Sequence, residues 1–287
     1  MKIYLAKDAG YCFGVRDAVN LAYDTAKEHG EVYMLGTIVH NERVIEDLSK
    51  VGAKVVDSLG DVPDNKPLLF RAHGTAPQLW QEASDRNLKL IDATCPLVTE
   101  IHHEIKKLEN ENRRTIIIGD HGHDEVVAIA AQVKKPIIIS TIKEAKSLRK
   151  MKRAGIVSQS TQMIENVQEI INVLMEKVFD LRFINTICFP TRRNHEQIKN
   201  LAVKSDVMII IGSFTSANSK RLTQLALERN KKSFQVTSAK DLNRSWFENC
   251  ESVGISAGAS TPDETIKEVV KKIKKIKGLN KEEILYE

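Results

Sequence analysis

The sequence predicts an α/β protein in which mostly parallel sheets are covered by helices, and three observations support this fold class. Short β-branched runs alternate with longer amphipathic stretches along the whole chain, as is typical of strands connected by crossover helices. Runs such as Thr115–Ile118 and Val207–Ile211 are apolar throughout, as expected for strands that are covered on both faces. Short turns of small polar residues follow most of these runs, and binding and catalytic residues of α/β proteins often lie in such turns.

The pattern of each segment predicts its type. The predicted strands are, in chain order, Lys2–Leu5, Glu31–Leu35, Lys54–Val56, Pro67–Phe70, Lys89–Ile91, Thr115–Ile118, Pro136–Ile139, Ala154–Val157, Leu181–Ile184, Val207–Ile211, Ser233–Val236 and Val253–Ile255. The predicted helices include 15–29, 41–50, 97–112, 163–177, 217–229 and 262–276.

The composition is that of a soluble globular protein, and the length of 287 residues allows two or three domains. No apolar run approaches the ~20 residues of a membrane span, and the N-terminus lacks the apolar segment of a signal peptide. We therefore expect a cytoplasmic protein whose four cysteines are reduced. Few aromatic residues and a net charge of +5 argue against nucleic-acid binding. They are compatible with a small anionic substrate or an acidic protein partner.

Polar side chains are concentrated in the turns that follow predicted strands. These turns read AGYCFGV, GTIVHN, FRAHGTAP, IDATCPL, GDHGHDEV, SQSTQ, NTICFPT, GSFTSAN and SAGASTP. Because ligands of parallel α/β sheets bind outside the carboxyl ends of the strands, we expect the turns to lie where a site would form. Most of them lead into helices, whose N-terminal N–H groups favour an anion such as phosphate.

Cys12, Cys95 and Cys188 fall at similar intervals, each in one of these turns, which suggests one cysteine per domain. A thiolate at a helix N-terminus is stabilised there and is a good ligand for a soft metal. No C-x-x-C pair occurs, which argues against ribbon-type zinc and the usual ferredoxin spacings. Spacing alone favours unrelated buried cysteines over a shared iron–sulfur cluster and leaves both open. Cys250 precedes a strand and is interpreted as a buried structural thiol.

His40, His73 and His123 lie in matching turns after predicted strands. A single histidine in such a turn more often has a structural role than a ligand-binding one. Together they favour a shared anion site, because a protonated imidazole donates two charge-assisted hydrogen bonds.

Several other polar residues have both a functional and a structural interpretation. Ser216, Asn218 and Ser260 add neutral donors near helix starts, and their structural role would be N-capping. Glu125 could act as a general acid if it is buried, or it is a favourable glutamate in the first turn of a helix. Thr161 would pass a proton or cap the next helix.

Eight motifs match one family in order and spacing, and they read GYCFGVRDAV, VHNERVIEDL, RAHGT, DATCPLV, GHDEV, NTIC, SANS and AGASTPD. From about Met1 to Val270, the chain resembles the 4-hydroxy-3-methylbut-2-enyl diphosphate reductases. These are LytB-type iron–sulfur enzymes of the methylerythritol phosphate route to isoprenoids. The resemblance implies a three-lobed α/β fold with a pseudo-threefold arrangement around a central cluster.

On this basis we expect three α/β domains and a C-terminal segment. The expected divisions are 1–96 with Cys12 and Cys95, 97–187, 188–262 beginning at Cys188, and a helix and tail at 263–287 that pack back on the first domain.

The resemblance also implies functional residues. The three motif cysteines, Cys12, Cys95 and Cys188, would bind a cluster that is usually 4Fe–4S, with one iron left open. The residues implied to hold the diphosphate are His40, His73, His123, Ser216, Asn218 and Ser260, with Ala217 in the position of a second serine. Glu125 would deliver protons, and Thr161 would lie near the substrate hydroxyl, with Ser160 as the alternative alignment.

The implied reaction is a reductive dehydroxylation. The terminal hydroxyl oxygen of the substrate would bind the open iron, and two electrons and two protons would remove it as water. One of these two protons would be added to either end of the allyl anion, which would give isopentenyl diphosphate and dimethylallyl diphosphate. Ferredoxin or flavodoxin would supply the electrons, and a mildly basic protein suits such an acidic carrier. We expect a monomer or a weak dimer.

The chain departs from the family pattern at several places, of which three matter most here. Ala217 lacks a hydroxyl donor, Asp124 replaces a frequent proline, and Asn194–His195 replaces Arg-Gln. These departures leave open a divergent paralogue that uses the same cluster on another small diphosphate. A non-catalytic α/β protein that binds a small ligand is the other alternative, because every loop residue has a structural explanation.

Overall fold

The structure is a computed structural model that describes residues 1–278 and 284–286. Its strands are β1 (Lys2–Leu5), β2 (Val32–Leu35), β3 (Ala53–Val56), β4 (Pro67–Phe70), β5 (Lys89–Asp92), β6 (Arg114–Ile118), β7 (Ile137–Ile139), β8 (Met151–Ser158), β9 (Val178–Phe183), β10 (Val207–Ile211), β11 (Ser233–Val236), β12 (Ser252–Ala257) and β13 (Ile284–Tyr286). Its α-helices are α1 (Phe13–His29), α2 (Glu42–Lys50), α3 (Pro77–Asp85), α4 (Pro96–Asn110), α5 (Asp124–Ala130), α6 (Ile142–Ser147), α7 (Ile164–Met175), α8 (Phe189–Lys204), α9 (Ala217–Arg229) and α10 (Asp263–Lys277).

The strands form three parallel sheets, which confirms the predicted fold class. One sheet has the order β11-β10-β12-β1-β13, the second β3-β2-β4-β5 and the third β7-β6-β8-β9. Each of the described strand pairs is parallel. The carboxyl ends of the strands in a sheet therefore share one edge, and the polar turns begin there.

The chain forms two compact units, and the first contains Met1–Val15, His40–Val44 and Phe189–Glu287. This unit holds the five-stranded sheet, in which β1 pairs with both β12 and β13. The buried side chain of Ile3 packs in the same core as residues of β10, β12 and α10.

The first strand of the chain thus belongs to the sheet built by the C-terminal part of the chain, although it begins the predicted domain 1–96. Three apolar residues of α10, Ile266, Val269 and Ile273, cover this same core. Part of the predicted segment 263–287, namely 279–283 and 287, lies outside the described residues. The three-domain division remains a prediction.

The second unit contains Arg16–Val39 and Ile45–Cys188 and holds both four-stranded sheets. Helix α4 packs its buried face, with Ile101, Ile105 and Leu108, on strands of the third sheet. The packing is close at β8, where a Cβ atom at Gly155 would lie 2.7 Å from Leu108 Cβ. Helix α4 is thereby fixed on the sheet, and with it the loop that carries Cys95.

None of the helices in residues 1–278 combines the length and the hydropathy that a membrane span requires.

Candidate functional site

The three motif cysteines occupy equivalent positions at the starts of helices. Cys12 directly precedes α1, Cys95 is the N-cap of α4, and Cys188 directly precedes α8. All three are half-buried, and within residues 1–278 none of the cysteines forms a disulfide. The N–H groups of Cys95 and Cys188 donate hydrogen bonds of 3.0 Å to the carbonyls of Ala72 and Ser160. These bonds fix the backbone of the two cysteines to neighbouring turns.

Cys250 lies in a different environment from the other three cysteines. It is buried, and its Sγ donates a hydrogen bond of 3.1 Å to the carbonyl of Ser252. Burial raises the pKa of Cys250, which keeps the thiol protonated. These features agree with the structural role predicted for it.

His73 and His123 form an aromatic pair in the second unit, with ring centroids 5.8 Å apart and planes at 89°. His123 caps α5, because its Nδ1 accepts a hydrogen bond of 3.2 Å from the N–H of Glu125. A ring nitrogen that accepts carries no proton, so the proton of His123 lies on Nε2. His123 therefore presents one N–H donor, rather than the two expected of an imidazolium.

Glu125 is buried, with 3% of its surface exposed. Its Oε1 accepts from the N–H of Ser160 at 2.5 Å, and its Oε2 accepts from Ser160 Oγ at 2.7 Å. Ser160 thus contacts the Glu125 carboxylate through both its backbone and its side chain. Thr161 Oγ1 accepts a hydrogen bond of 3.0 Å from Gln159 Nε2.

Gln159 is a residue of this cluster that the sequence did not single out. It is fully buried, and its Oε1 accepts a hydrogen bond of 3.0 Å from the N–H of Asp120. Gln159 therefore connects the turn after β6 to Thr161 in the turn after β8. Its position directly after a strand was the available signal, but many polar residues share that position.

In the first unit, the predicted hydroxyl and amide residues lie around two turns. Ser260 Oγ donates to the backbone carbonyl of His40 at 3.1 Å. Ser216 is the N-cap of α9 and accepts from the N–H of Ser219. Asn218 is 7% exposed, and its buried Nδ2 has no hydrogen-bond partner among the described residues. A buried donor of this kind costs about 1–3 kcal/mol unless something accepts from it.

Two glycines leave room for the side chain of Ser219, the residue of α9 that follows Asn218. A Cβ atom at Gly212 or at Gly258 would lie 2.2 Å from Ser219 Oγ. The two glycines therefore allow the start of α9 to approach the ends of β10 and β12. Ala217, the first residue of α9, has no side-chain donor to offer.

Glu42 is a second residue that the sequence did not indicate. Its Oε1 accepts hydrogen bonds from Ser213 Oγ at 2.7 Å and from Thr215 Oγ1 at 3.1 Å. Burial raises the pKa of Glu42, but these hydrogen bonds and the nearby His40 outweigh burial and hold that pKa below its ordinary value. The resulting carboxylate ties the segment after His40 to the turn after β10.

The departure at Asn194 has a structural explanation. Asn194 is 4% exposed, and its Nδ2 donates to the carbonyl of Ala257 at 3.2 Å. Its Oδ1 accepts from Ser256 Oγ at 3.0 Å. Both ends of the amide therefore bind β12, so Asn194 anchors α8 to the sheet.

A family model described as "LytB protein" matches residues 3–274. The chain belongs to the LytB family. A protein of Geobacter metallireducens named 4-hydroxy-3-methylbut-2-enyl diphosphate reductase is 37% identical over 277 residues, 96% of this chain and 98% of the relative. A protein of Geobacter sulfurreducens with the same name is 36% identical over 95% of this chain and 97% of its own length.

Solved structures agree with this assignment. The E-1-hydroxy-2-methyl-but-2-enyl-4-diphosphate reductase of Plasmodium falciparum superimposes with a TM-score of 0.91 at 29% identity, over 95% of this chain and 88% of that chain. A structure of (E)-4-hydroxy-3-methyl-but-2-enyl diphosphate reductase gives a TM-score of 0.72 at 35% identity, over 96% and 100% of the two chains. The resemblance found in the motifs is confirmed, and this LytB protein is a member of a family of reductases.

Proposed function

We propose that this LytB protein is a 4-hydroxy-3-methylbut-2-enyl diphosphate reductase. The allylic C–O bond of the substrate breaks, two electrons and two protons are consumed, and water leaves together with isopentenyl diphosphate or dimethylallyl diphosphate. The observation that supports this most is the set of three half-buried cysteines at helix starts. They occur in a chain that matches named reductases over nearly its whole length.

The chemistry of these cysteines fits an iron–sulfur cluster. Thiolates are soft ligands, and a helix N-terminus stabilises their negative charge. We infer that Cys12, Cys95 and Cys188 hold a 4Fe–4S cluster and that buried Cys250 does not. When bound, the cluster would supply the electrons, with one iron that the protein does not ligate left for the substrate hydroxyl.

The diphosphate would be held by imidazole, hydroxyl and amide donors. The proposed set is His40, His73, His123, Ser216, Asn218 and Ser260. Asn218 Nδ2 supports this best, because it is buried without an acceptor and a phosphate oxygen would supply one. Ala217 contributes no donor, so the neighbouring groups carry the binding at that position.

Glu125 is the proposed proton donor for the allylic carbon and the leaving hydroxyl. The N–H and Oγ of Ser160 hold its two oxygens, so the carboxyl group has one defined orientation. Thr161 Oγ1 already accepts from Gln159. We propose that this threonine lies near the substrate hydroxyl, as the family resemblance implies.

We also propose an electron donor, an oligomeric state and a location for this protein. An acidic ferredoxin or flavodoxin would bring the electrons, and the net charge of +5 supports such an encounter. We propose a cytoplasmic monomer or weak dimer whose three lobes correspond to the predicted division of the chain.

The test is anaerobic reconstitution of the full chain, followed by iron and sulfide analysis. Mössbauer spectra with and without the allylic diphosphate, and turnover with a chemical reductant, complete it. We expect a four-iron cluster, a spectrum that changes when substrate is added, and formation of both products. An intact cluster that gives no product would refute the proposed reaction.

A second candidate is reduction of another small diphosphate, and the missing donor at Ala217 favours it. Comparison of kcat/KM across allylic diphosphates of different size distinguishes the two candidates. A preference of more than about tenfold for a different diphosphate would support the second.

A further inference from the structure

Asp124, the first residue of helix α5, places a carboxylate beside the proposed diphosphate site. Asp124 lies between His123 and Glu125, both of which belong to the proposed site. Its side chain is 27% exposed, so solvent screens its charge only in part. A carboxylate next to His123 that had no cationic partner would repel a diphosphate bound there. We expect this repulsion to weaken diphosphate binding by roughly tenfold or more.

Arg71 neutralises this carboxylate. It directly follows β4 and begins the turn that carries His73. Its Nη1 lies 2.8 Å from Asp124 Oδ2, and only 24% of its side chain is exposed. A guanidinium is always charged and less strongly hydrated than an ammonium, so it suits a partly buried pair.

The turn after β2 holds the Arg71 guanidinium from another side. A Cβ atom at Gly36 would lie 2.6 Å from Arg71 Nη1 and 3.2 Å from its Cζ. Gly36 also has a φ of +74°, a conformation that favours glycine. Glycine is therefore required here both by its backbone conformation and by the space that Arg71 fills.

We propose that Arg71 is a positioning and charge-compensating residue that allows this chain to carry Asp124 beside its diphosphate site. The inference rests on the proposed function, because it assigns an anion to His73 and His123. The pair links the turn of His73 to the helix start that carries His123. It also removes the net negative charge that Asp124 would otherwise place there.

A charge cycle on the reconstituted holoprotein tests this role, with inorganic pyrophosphate as the probe. Its inhibition constant against turnover is measured for wild type, R71Q, D124N and the double variant R71Q/D124N. We expect R71Q to weaken pyrophosphate about tenfold and to raise KM more than it lowers kcat. We expect D124N to bind pyrophosphate as well as wild type or better, and the double variant to recover to within about threefold of wild type.

R153Q is the control for the arginine-to-glutamine change, because Arg153 Nε pairs with Asp180 Oδ2 at 2.9 Å and neither residue belongs to the proposed site. It should leave the pyrophosphate inhibition constant unchanged. A double variant that stays as weak as R71Q would overturn charge compensation, as would a folded R71Q that binds like wild type. If R71Q does not fold, D124N decides, because weaker pyrophosphate binding in D124N contradicts the proposal. Wild-type protein that has a cluster but no turnover would refute the proposed function instead.

Discussion

Replacement of Glu125 by glutamine separates proton delivery from the structural role of this carboxylate. In the native chain, Oε1 accepts from the N–H of Ser160 and Oε2 accepts from Ser160 Oγ. Glutamine can keep its oxygen on the N–H group. Its amide Nε2 then donates to Ser160 Oγ, since a hydroxyl both donates and accepts. Both contacts to Ser160 can therefore be kept, while the side chain can no longer release a proton.

The hydrogen bonds of Glu125 allow the effect of this substitution on stability and on turnover to be estimated. Hydrogen bonds to a charged group contribute about 1.5–3 kcal/mol, and neutral ones about 0.5–1.5 kcal/mol. The Glu125→Gln change weakens two bonds but also removes the cost of burying a charge. We therefore expect the free energy of unfolding to change by about 1 kcal/mol or less. Turnover should fall by about 10²–10⁴-fold, the usual contribution of general acid–base catalysis.

Two further variants show how much stability is lost when the contacts between Glu125 and Ser160 are removed. Glu125→Ala leaves the buried N–H of Ser160 without an acceptor and should cost about 1–3 kcal/mol of stability, in addition to a cavity. Ser160→Ala removes one donor and should cost about 1.5–3 kcal/mol. Denaturant unfolding of each variant, together with single-turnover product formation, provides the measurements. Wild-type turnover in the folded glutamine variant would show that Glu125 is structural, and a loss of folding in that variant would contradict the geometry argued from Ser160.

Three other outcomes are expected. Cys188→Ser should lose most of the reconstituted iron while Cys250→Ser keeps it, as the iron-to-protein ratio will show. Asn218→Asp places a carboxylate where a donor is expected to meet phosphate, and should weaken inorganic pyrophosphate about tenfold or more in titration calorimetry. Burial, with smaller effects of Lys106 and a neighbouring histidine, lowers the pKa of His102 from 6.5 to about 4. Between these two values the unfolded chain binds a proton that the folded chain does not, so stability should fall by at most about 3 kcal/mol as the pH drops through this window. His102→Asn should flatten that dependence in denaturant unfolding at pH 7 and pH 4.5.

The strands were predictable because burial on both faces leaves a local signature. Val207–Ile211 is apolar throughout and is a fully buried strand with the predicted ends. Strand pairing has no such signature, so the placement of Lys2–Leu5 beside β12 depends on contacts with residues near the far end of the chain. Ile284–Tyr286 is too short to show a period, and its strand arises from pairing with β1.

Candidate site residues could be predicted from the sequence where the residue type itself indicates the chemistry. They were harder to predict where the role depends on a contact with another side chain. Cys12 and Glu125 were identified from their residue type together with the motifs that contain them. Arg71 and Gln159 were not, because their roles consist of contacts with Asp124 and Thr161 in other turns. A single sequence shows a side chain but not the group it meets, which is why the consequence of Asp124 required the structure.

Capping and the proposed ligand binding are compatible for two of the residues at helix starts, and their hydrogen bonds indicate how both roles can coexist. As caps, His123 and Ser216 use an acceptor atom, Nδ1 in one and Oγ in the other, to take an N–H group from the first turn of their helix. A neutral imidazole has its proton on the other nitrogen, and a hydroxyl still has its own hydrogen to donate. Capping therefore uses the acceptor atom of each residue and not its donor group. Because an anion needs donors, the capping roles of these two residues at the starts of α5 and α9 are compatible with the proposed diphosphate site.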